Sequence, residues 1–287
     1  MKIGVSSYSF SAYRTNTGAG YLDICELAKR IGYEAIEFTG LYIADDTTRE
    51  EKITLAKQIK EKCDSLGLKI PAYTVGANLI GSDAEKVVDE LIFCLDIAKI
   101  LGAGTMRHDV TFGLPEGWTY KDAIREATPR IRRIADEGAK RGIITCIENH
   151  GTIFQAPERV EELILAVDRP NFGWLCDIGN FLCADCEPSK SVSIAAKYAC
   201  HVHAKDFLYR SEDDPAHSGF NIKTAGGNYL RGTVVGHGIV PVRECLDLLK
   251  KSGYDGYVSV EFEGAEEPLY ALENGYKNLR LILESLG

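Results

Sequence analysis

The sequence predicts a (β/α)8 barrel, and three observations carry that prediction. Short β-rich runs alternate with longer amphipathic stretches about eight times along the 287 residues. Four helical stretches close on a glycine a few residues before the next strand, at Arg30-Ile31-Gly32, Leu101-Gly102, Arg141-Gly142 and Ser252-Gly253. That is how a left-handed cap feeds a short connection into a parallel strand. No Gly-x-Gly-x-x-Gly follows a strand, as an open dinucleotide-binding sheet would require. Eight units in a chain of this length match a closed barrel, one domain over residues 1–287.

In order, the pattern places a strand at Ile3–Ser7 and a helix at Leu22–Ile31, then a strand at Ala35–Phe38 and a helix at Thr48–Leu66. The third strand, Ile70–Val75, leads to a helix at Ala84–Leu101, where Val87, Val88, Leu91, Ile92, Leu95, Ile97 and Ala98 recur at helical spacing. A strand at Gly104–Val110 precedes a helix at Lys121–Arg141, and a strand at Ile143–Glu148 precedes a helix opened by Pro157 that runs to Val167. The last three units are Phe172–Asp177 with Ser189–Tyr198, Cys200–Lys205 with Val242–Lys251, and Tyr257–Glu261 with Pro268–Leu286. Between Lys205 and Val242 lies the longest irregular stretch, Phe207–Gly238. It follows the seventh strand and so emerges on the active-site face of a barrel.

Composition narrows the partners. A net charge of −9 with no run of Lys and Arg argues against nucleic acid, which needs a concentrated basic face. No stretch has the roughly 18 apolar residues of a membrane span. The N-terminus enters an apolar strand without a basic region or a long apolar segment, so a cytoplasmic protein is expected. Nine scattered cysteines fit free thiols in a reducing compartment. Cys183 and Cys186 form a lone CxxC with no second pair beside it, which is not a zinc framework.

Catalytic groups of such barrels stand at the C-terminal ends of the strands. Here strand five ends in Glu148-Asn149-His150-Gly151 and strand six in Asp177-Ile178-Gly179-Asn180. Strand seven carries His201-Val202-His203-Ala204-Lys205-Asp206, and strand eight ends in Glu261-Phe262-Glu263-Gly264. Converging carboxylates repel one another and are costly to desolvate, and a divalent cation removes that conflict. Carboxylates with one imidazole suit Mn2+ first, with Mg2+, Co2+ and Zn2+ as the other fitting ions.

The runs I-E-N-H-G at Ile147–Gly151, C-D-I-G-N at Cys176–Asn180, H-V-H-A-K-D at His201–Asp206, G-H-G at Gly236–Gly238 and Y-V-S-V-E at Tyr257–Glu261 resemble those of the xylose isomerase-like barrels. The likeness covers nearly the whole chain. That family includes sugar and inosose isomerases, ketose 3-epimerases, inosose dehydratases and, more distantly, endonuclease IV repair enzymes. The resemblance implies one divalent metal held by Glu148, Asp177, His203 and Glu261, with Glu148 and Glu261 also moving protons. It also implies a small sugar or polyol substrate. Barrels of this family often pair, so a homo-oligomer is compatible with it.

The sequence departs from the ketose 3-epimerases at two places. Asn180 stands where they carry a histidine three residues after the metal aspartate, and Tyr209 where they carry an arginine six residues after the metal histidine. Arg210 and Arg231 are the candidate replacements, and Arg231 is expected first because it leads into Gly236-His237-Gly238. The function expected first is a metal-dependent sugar isomerase or epimerase working through an enediolate. The alternative is a lyase on a keto-sugar or keto-inositol, an inosose dehydratase or a 3-keto-glycoside-cleaving enzyme. A DNA-repair nuclease needs a richer His/Asp cluster than six histidines supply.

His150, in phase with Glu148, is a candidate base. Lys205, Asn180, Arg231, His237, His108 and Glu37 are candidate substrate contacts, with Arg107 beside His108. Tyr8, Phe10, Trp118 and Tyr120 are candidates for an apolar face against a sugar ring. His201 lies one layer below His203 and is expected to be a hydrogen-bonded barrel residue, and Trp174 to be core.

Overall fold

In the computed structural model, which describes residues 1–42 and 46–287, the chain runs through eleven strands and nine α-helices among those residues. The strands are β1 (Lys2–Ser6), β2 (Ala35–Thr39), β3 (Ala72–Val75), β4 (Thr105–His108), β5 (Ile144–Glu148), β6 (Phe172–Asp177), β7 (Ala199–Ala204), β8 (Asp206–Arg210), β9 (Ile222–Lys223), β10 (Tyr229–Thr233) and β11 (Tyr257–Val260). The helices are α1 (Ser11–Thr17), α2 (Tyr21–Ile31), α3 (Arg49–Leu66), α4 (Ala84–Leu101), α5 (Tyr120–Arg141), α6 (Pro157–Val167), α7 (Pro188–Ala195), α8 (Val242–Lys251) and α9 (Pro268–Ser285). Strands β1 to β7 and β11 close into a parallel barrel, with β11 between β7 and β1. It is the predicted (β/α)8 architecture.

Local chemistry sets the helix ends. Thr48 and Glu51 cap α3 reciprocally, as Thr119 and Asp122 cap α5. Helices α4 and α5 stop on Gly102 and Gly142 at φ of 75° and 72°, the left-handed caps the sequence signalled. Strand alternation then splits the core into two layers. Phe38, Met106, Ile147, Trp174, Val202 and Val258 are buried in one phase against the helices. Glu37, Arg107, Glu148, Asp177, His201, His203 and Ser259 occupy the other phase, inside the barrel, and are buried too.

Three differences from the sequence pattern have physical causes. A short helix, α1, fills the first connection. The helix expected at Ser189–Tyr198 ends at Ala195 and tightens into a 3-10 turn over Ala196–Tyr198. The stretch Phe207–Gly238 is not wholly irregular: β8, β10 and β9 form an antiparallel sheet, with Arg210 opposite Tyr229 and Asp206 opposite Thr233. Such pairing between distant residues leaves no local periodicity to read. Asp206 fixes its base, because the carboxylate accepts hydrogen bonds from the amides of Phe207, Gly236, Gly238 and Val240. A Cβ on Gly238 would lie 2.1 Å from Asp206 Oδ1, so only glycine permits that approach. No helix among the described residues is long and apolar enough to cross a membrane.

Candidate active site

Four neighbouring strands deliver Glu148, Asp177, His203 and Glu261 to one point. Each offers one ligand atom, and these atoms all lie within 4.8 Å of one another. His203 Nδ1 is 3.5 Å from Glu148 Oε1, 3.9 Å from Asp177 Oδ2 and 3.4 Å from Glu261 Oε2. Donors bonded to one ion at about 2.1 Å sit no more than about 4.2 Å apart, so the cluster needs only a small contraction.

Two buried polar atoms here have no hydrogen-bond partner, Asp177 Oδ2 and His203 Nδ1. Their sister atoms are satisfied. Asp177 Oδ1 accepts from the amides of Gly179 and Asn180, and His203 Nε2 meets Glu37 Oε1 at 2.6 Å. Orphaned atoms of this kind are rare in folded proteins. Aimed at one another among carboxylates, they fit a divalent cation.

The strand ends are locked from behind. Asn149 donates to the Asp177 carbonyl, and its side-chain oxygen accepts from the Asp177 amide and from Trp174 Nε1. Trp174 is thus both core and brace.

A sequence profile of the xylose isomerase-like TIM barrels matches residues 25–284. The chain belongs to this family. Among curated relatives, an inosose dehydratase of Klebsiella pneumoniae (strain 342) is 24% identical over 274 residues, which cover 87% of this chain and 86% of that one. The crystal structure of the probable 3-DHS dehydratase AsbF of Bacillus anthracis superposes with a TM-score of 0.77 at 20% identity, over 98% of this chain and 99% of that one. The IOLI protein, crystallised with a bound zinc atom, gives a TM-score of 0.75 at 17% identity, over 100% and 99%.

Electrostatics of this xylose isomerase-like centre show a demand for positive charge. Burial raises the Asp177 carboxyl to about 6 against the pull of Lys205, 3.5 Å from Oδ2, with Glu261 and Glu148 adding to the rise. Burial opposes the charge on Glu148 as well, but Arg107 and then His203 outweigh it and hold the carboxyl down at about 2. Glu261 is held well below the usual carboxylate range by Lys205 and His203 against the same burial. Arg107 Nη2 is 2.5 Å from Glu148 Oε2, and Nη1 is 3.0 Å from Asp109 Oδ2. Lys205 Nζ is 2.8 Å from Glu261 Oε2, 3.4 Å from Glu263 Oε2 and 3.2 Å from Asn180 Oδ1. Asn180 in turn donates to Glu148 Oε1 at 3.2 Å.

His150 does not lie against Glu148. Its Nδ1 meets Asp109 Oδ1 at 3.1 Å, and its side chain is 40% exposed, which puts it at the mouth of the site. Burial works against the charged ring, yet the bond to Asp109 and the charge of Glu148 raise its pKa.

Lys205 and Asn180 are brought to the centre, and four other residues expected to contact substrate are not. Glu37 is wholly buried, with both oxygens taken by His201 and His203. His108 has the opposite strand phase to Arg107, is buried, and packs its ring 6.1 Å from that of Phe172 in the layer under the helices. The Arg231 guanidinium lies over Phe220 at 5.3 Å on the outer sheet. His237 is exposed, and it is the amides of its flanking glycines that bind Asp206. Among the described residues no hydrogen bond or ion pair joins the side chain of Arg231 or His237 to the cluster.

Of the aromatic candidates, Tyr8 stays half-exposed beside Glu263. Phe10 is buried, and the Tyr120 hydroxyl donates to Glu162 on α6. Arg107 is legible as a candidate from its strand end; Asp109 and Glu263 are not singled out, although each stands two residues on from a site residue, in the same strand phase. All nine cysteines are free.

Proposed function

We propose that this chain is a divalent-metal-dependent lyase that eliminates water from a keto-polyol of the keto-inositol class, with Mn2+ the ion that suits it first. The observation that carries elimination is the asymmetry of the two glutamates. Glu148 has one oxygen on Arg107 and the other on Asn180, and it is 1% exposed. Glu261 is the most open carboxylate of the cluster at 8% and is tied by Lys205. A proton taken at carbon therefore has one ready carboxylate acceptor, and Glu148 is poorly placed to return it from the opposite face.

Elimination needs only one such acceptor, plus a donor for the departing hydroxyl. Glu261 takes the proton from the carbon beside the carbonyl. The electron pair forms the new carbon–carbon double bond, and the C–O bond at the β-carbon breaks. His150, oriented by Asp109, hands its proton to that oxygen, so water leaves. Solvent then restores both groups. Lys205, Asn180 and Glu263 line the approach and orient hydroxyls. The bound ion supplies positive charge that polarises the substrate oxygen next to the reacting carbon. Similarity to the Klebsiella inosose dehydratase supports the same choice.

Isomerisation or epimerisation is the second reading. What favours it is that Glu148 and Glu261 both face the centre, 3.5 and 3.4 Å from His203 Nδ1. Turnover of a panel of keto-inositols and ketoses by the Mn2+-loaded protein in deuterated water separates the two. The expected product is one water lighter than its substrate and unsaturated. A product of unchanged composition that carries one deuterium at carbon contradicts elimination and supports the second reading.

A further inference from the structure

We infer that Glu37 is a positioning residue that fixes the tautomer and ring plane of His203, presenting Nδ1 to the metal centre; this rests on the centre described above. Glu37 stands on β2, separated from β7 around the barrel by β1 and β11. It is 0% exposed in the barrel interior, a place where a lone carboxylate is costly.

Its partners account for it. Oε1 is 2.6 Å from His203 Nε2, while Oε2 meets His201 Nε2 and lies 3.1 Å from Ser259 Oγ. An ionised carboxylate only accepts hydrogen bonds, so the His203 proton sits on Nε2. In a neutral ring the lone pair is then on Nδ1, which is the atom facing Glu148, Asp177 and Glu261 without a hydrogen-bond partner of its own. A carboxylate behind a ligating imidazole also raises its basicity and holds its plane. His201 and Ser259 occupy the second oxygen and keep the carboxylate from turning away.

Glu37, His201 and His203 also offer donors within 4.8 Å of one another, the spacing of a second cation site. The 2.6 Å contact leaves no room for an ion between Glu37 Oε1 and His203 Nε2, and a hydrogen bond fills that space.

Zinc alone, titrated calorimetrically into the full chain, tests this alongside proton spectra of the zinc-loaded protein. The wild type is expected to bind one ion per chain and to show a slowly exchanging His203 Nε2–H. Glu37→Gln, nearly the same shape, is expected to bind about 10- to 100-fold more weakly and to lose that signal. His201→Gln, which spares the Glu37–His203 bond, is expected to stay within about threefold of the wild type.

Glu37→Asp retracts the carboxylate by one methylene and is expected to weaken binding in the same direction. Unchanged affinity in Glu37→Gln overturns the inference, as does a wild-type spectrum without the Nε2 proton. Two ions per wild-type chain, falling to one in Glu37→Gln, overturns it in favour of a second metal site. A wild type that binds no zinc removes the centre itself, a different failure.

Discussion

Asp177→Asn is expected to abolish ion binding and to cut kcat/KM about a thousandfold, while the metal-free chain melts no lower than the wild type. The substitution is nearly isosteric. Its side-chain oxygen still accepts from the amides of Gly179 and Asn180, so the turn after β6 is retained. Only Oδ2 changes, from an acceptor with no hydrogen bond, 3.5 Å from Lys205 Nζ, to an amide nitrogen whose protons repel a cation. Charge stabilisation by a catalytic ion amounts to several kcal/mol. At about 1.4 kcal/mol per decade of rate, that gives the thousandfold figure.

Stability moves the other way. Burial raises the Asp177 carboxyl to about 6 even with Lys205 beside it, so holding its charge costs more in the folded chain than in the unfolded one, and the amide avoids that cost. Metal content after dialysis, a thermal melt without metal and steady-state rates check the three parts together. Stoichiometric metal retained in Asp177→Asn contradicts the assignment of this ligand.

Arg107→Met is expected to destabilise the metal-free protein by about 3–5 kcal/mol, the usual cost of stripping one partner from a buried ion pair. The guanidinium is only 9% exposed and neutralises two carboxylates at once, Glu148 and Asp109. Methionine fills much of the same volume, so lost charge rather than a cavity dominates.

The pH dependence has a definite sign. In the folded chain Glu148 is held at about 2, against 4.5 for the free group. Its pairing therefore contributes stability that is fully present above about pH 4.5 and lost as pH falls toward 2. The deficit of Arg107→Met is accordingly greatest at neutral pH and shrinks on acidification. Saturating divalent metal should recover part of it, because an ion takes over neutralisation of Glu148. Urea denaturation at several pH values, with and without Mn2+, measures all of this. A deficit under 1 kcal/mol at neutral pH contradicts the account.

What the sequence made legible was what strand geometry and local chemistry dictate. Parallel strands ending in Glu148, Asp177 and Glu261 are visible because each acid stands where an apolar run stops. Glycine caps and capping boxes mark the turns between. His108 lies near a strand end, but alternation sets it opposite in phase to Arg107, and it packs beside Phe172 under the helices. Glu37 was placed near the right strand end, but its burial depends on His201 and His203 more than 160 positions away, and no local pattern carries that. The same holds for Arg107 with Glu148, for Asp109 with His150, and for the β8–β10 pairing hidden in an irregular-looking stretch. Arg231 is the residue that would fill a gap in a family pattern, and His237 stands between two glycines; the chain uses their segment to build the outer sheet and the Asp206 anchor.

The most direct test is anomalous diffraction from crystals of the full chain soaked in Mn2+. One strong peak is expected, within about 2.3 Å of Glu148 Oε1, Asp177 Oδ2, His203 Nδ1 and Glu261 Oε2. A peak elsewhere, or none at saturating Mn2+, contradicts a shared cation as the organising element of this site.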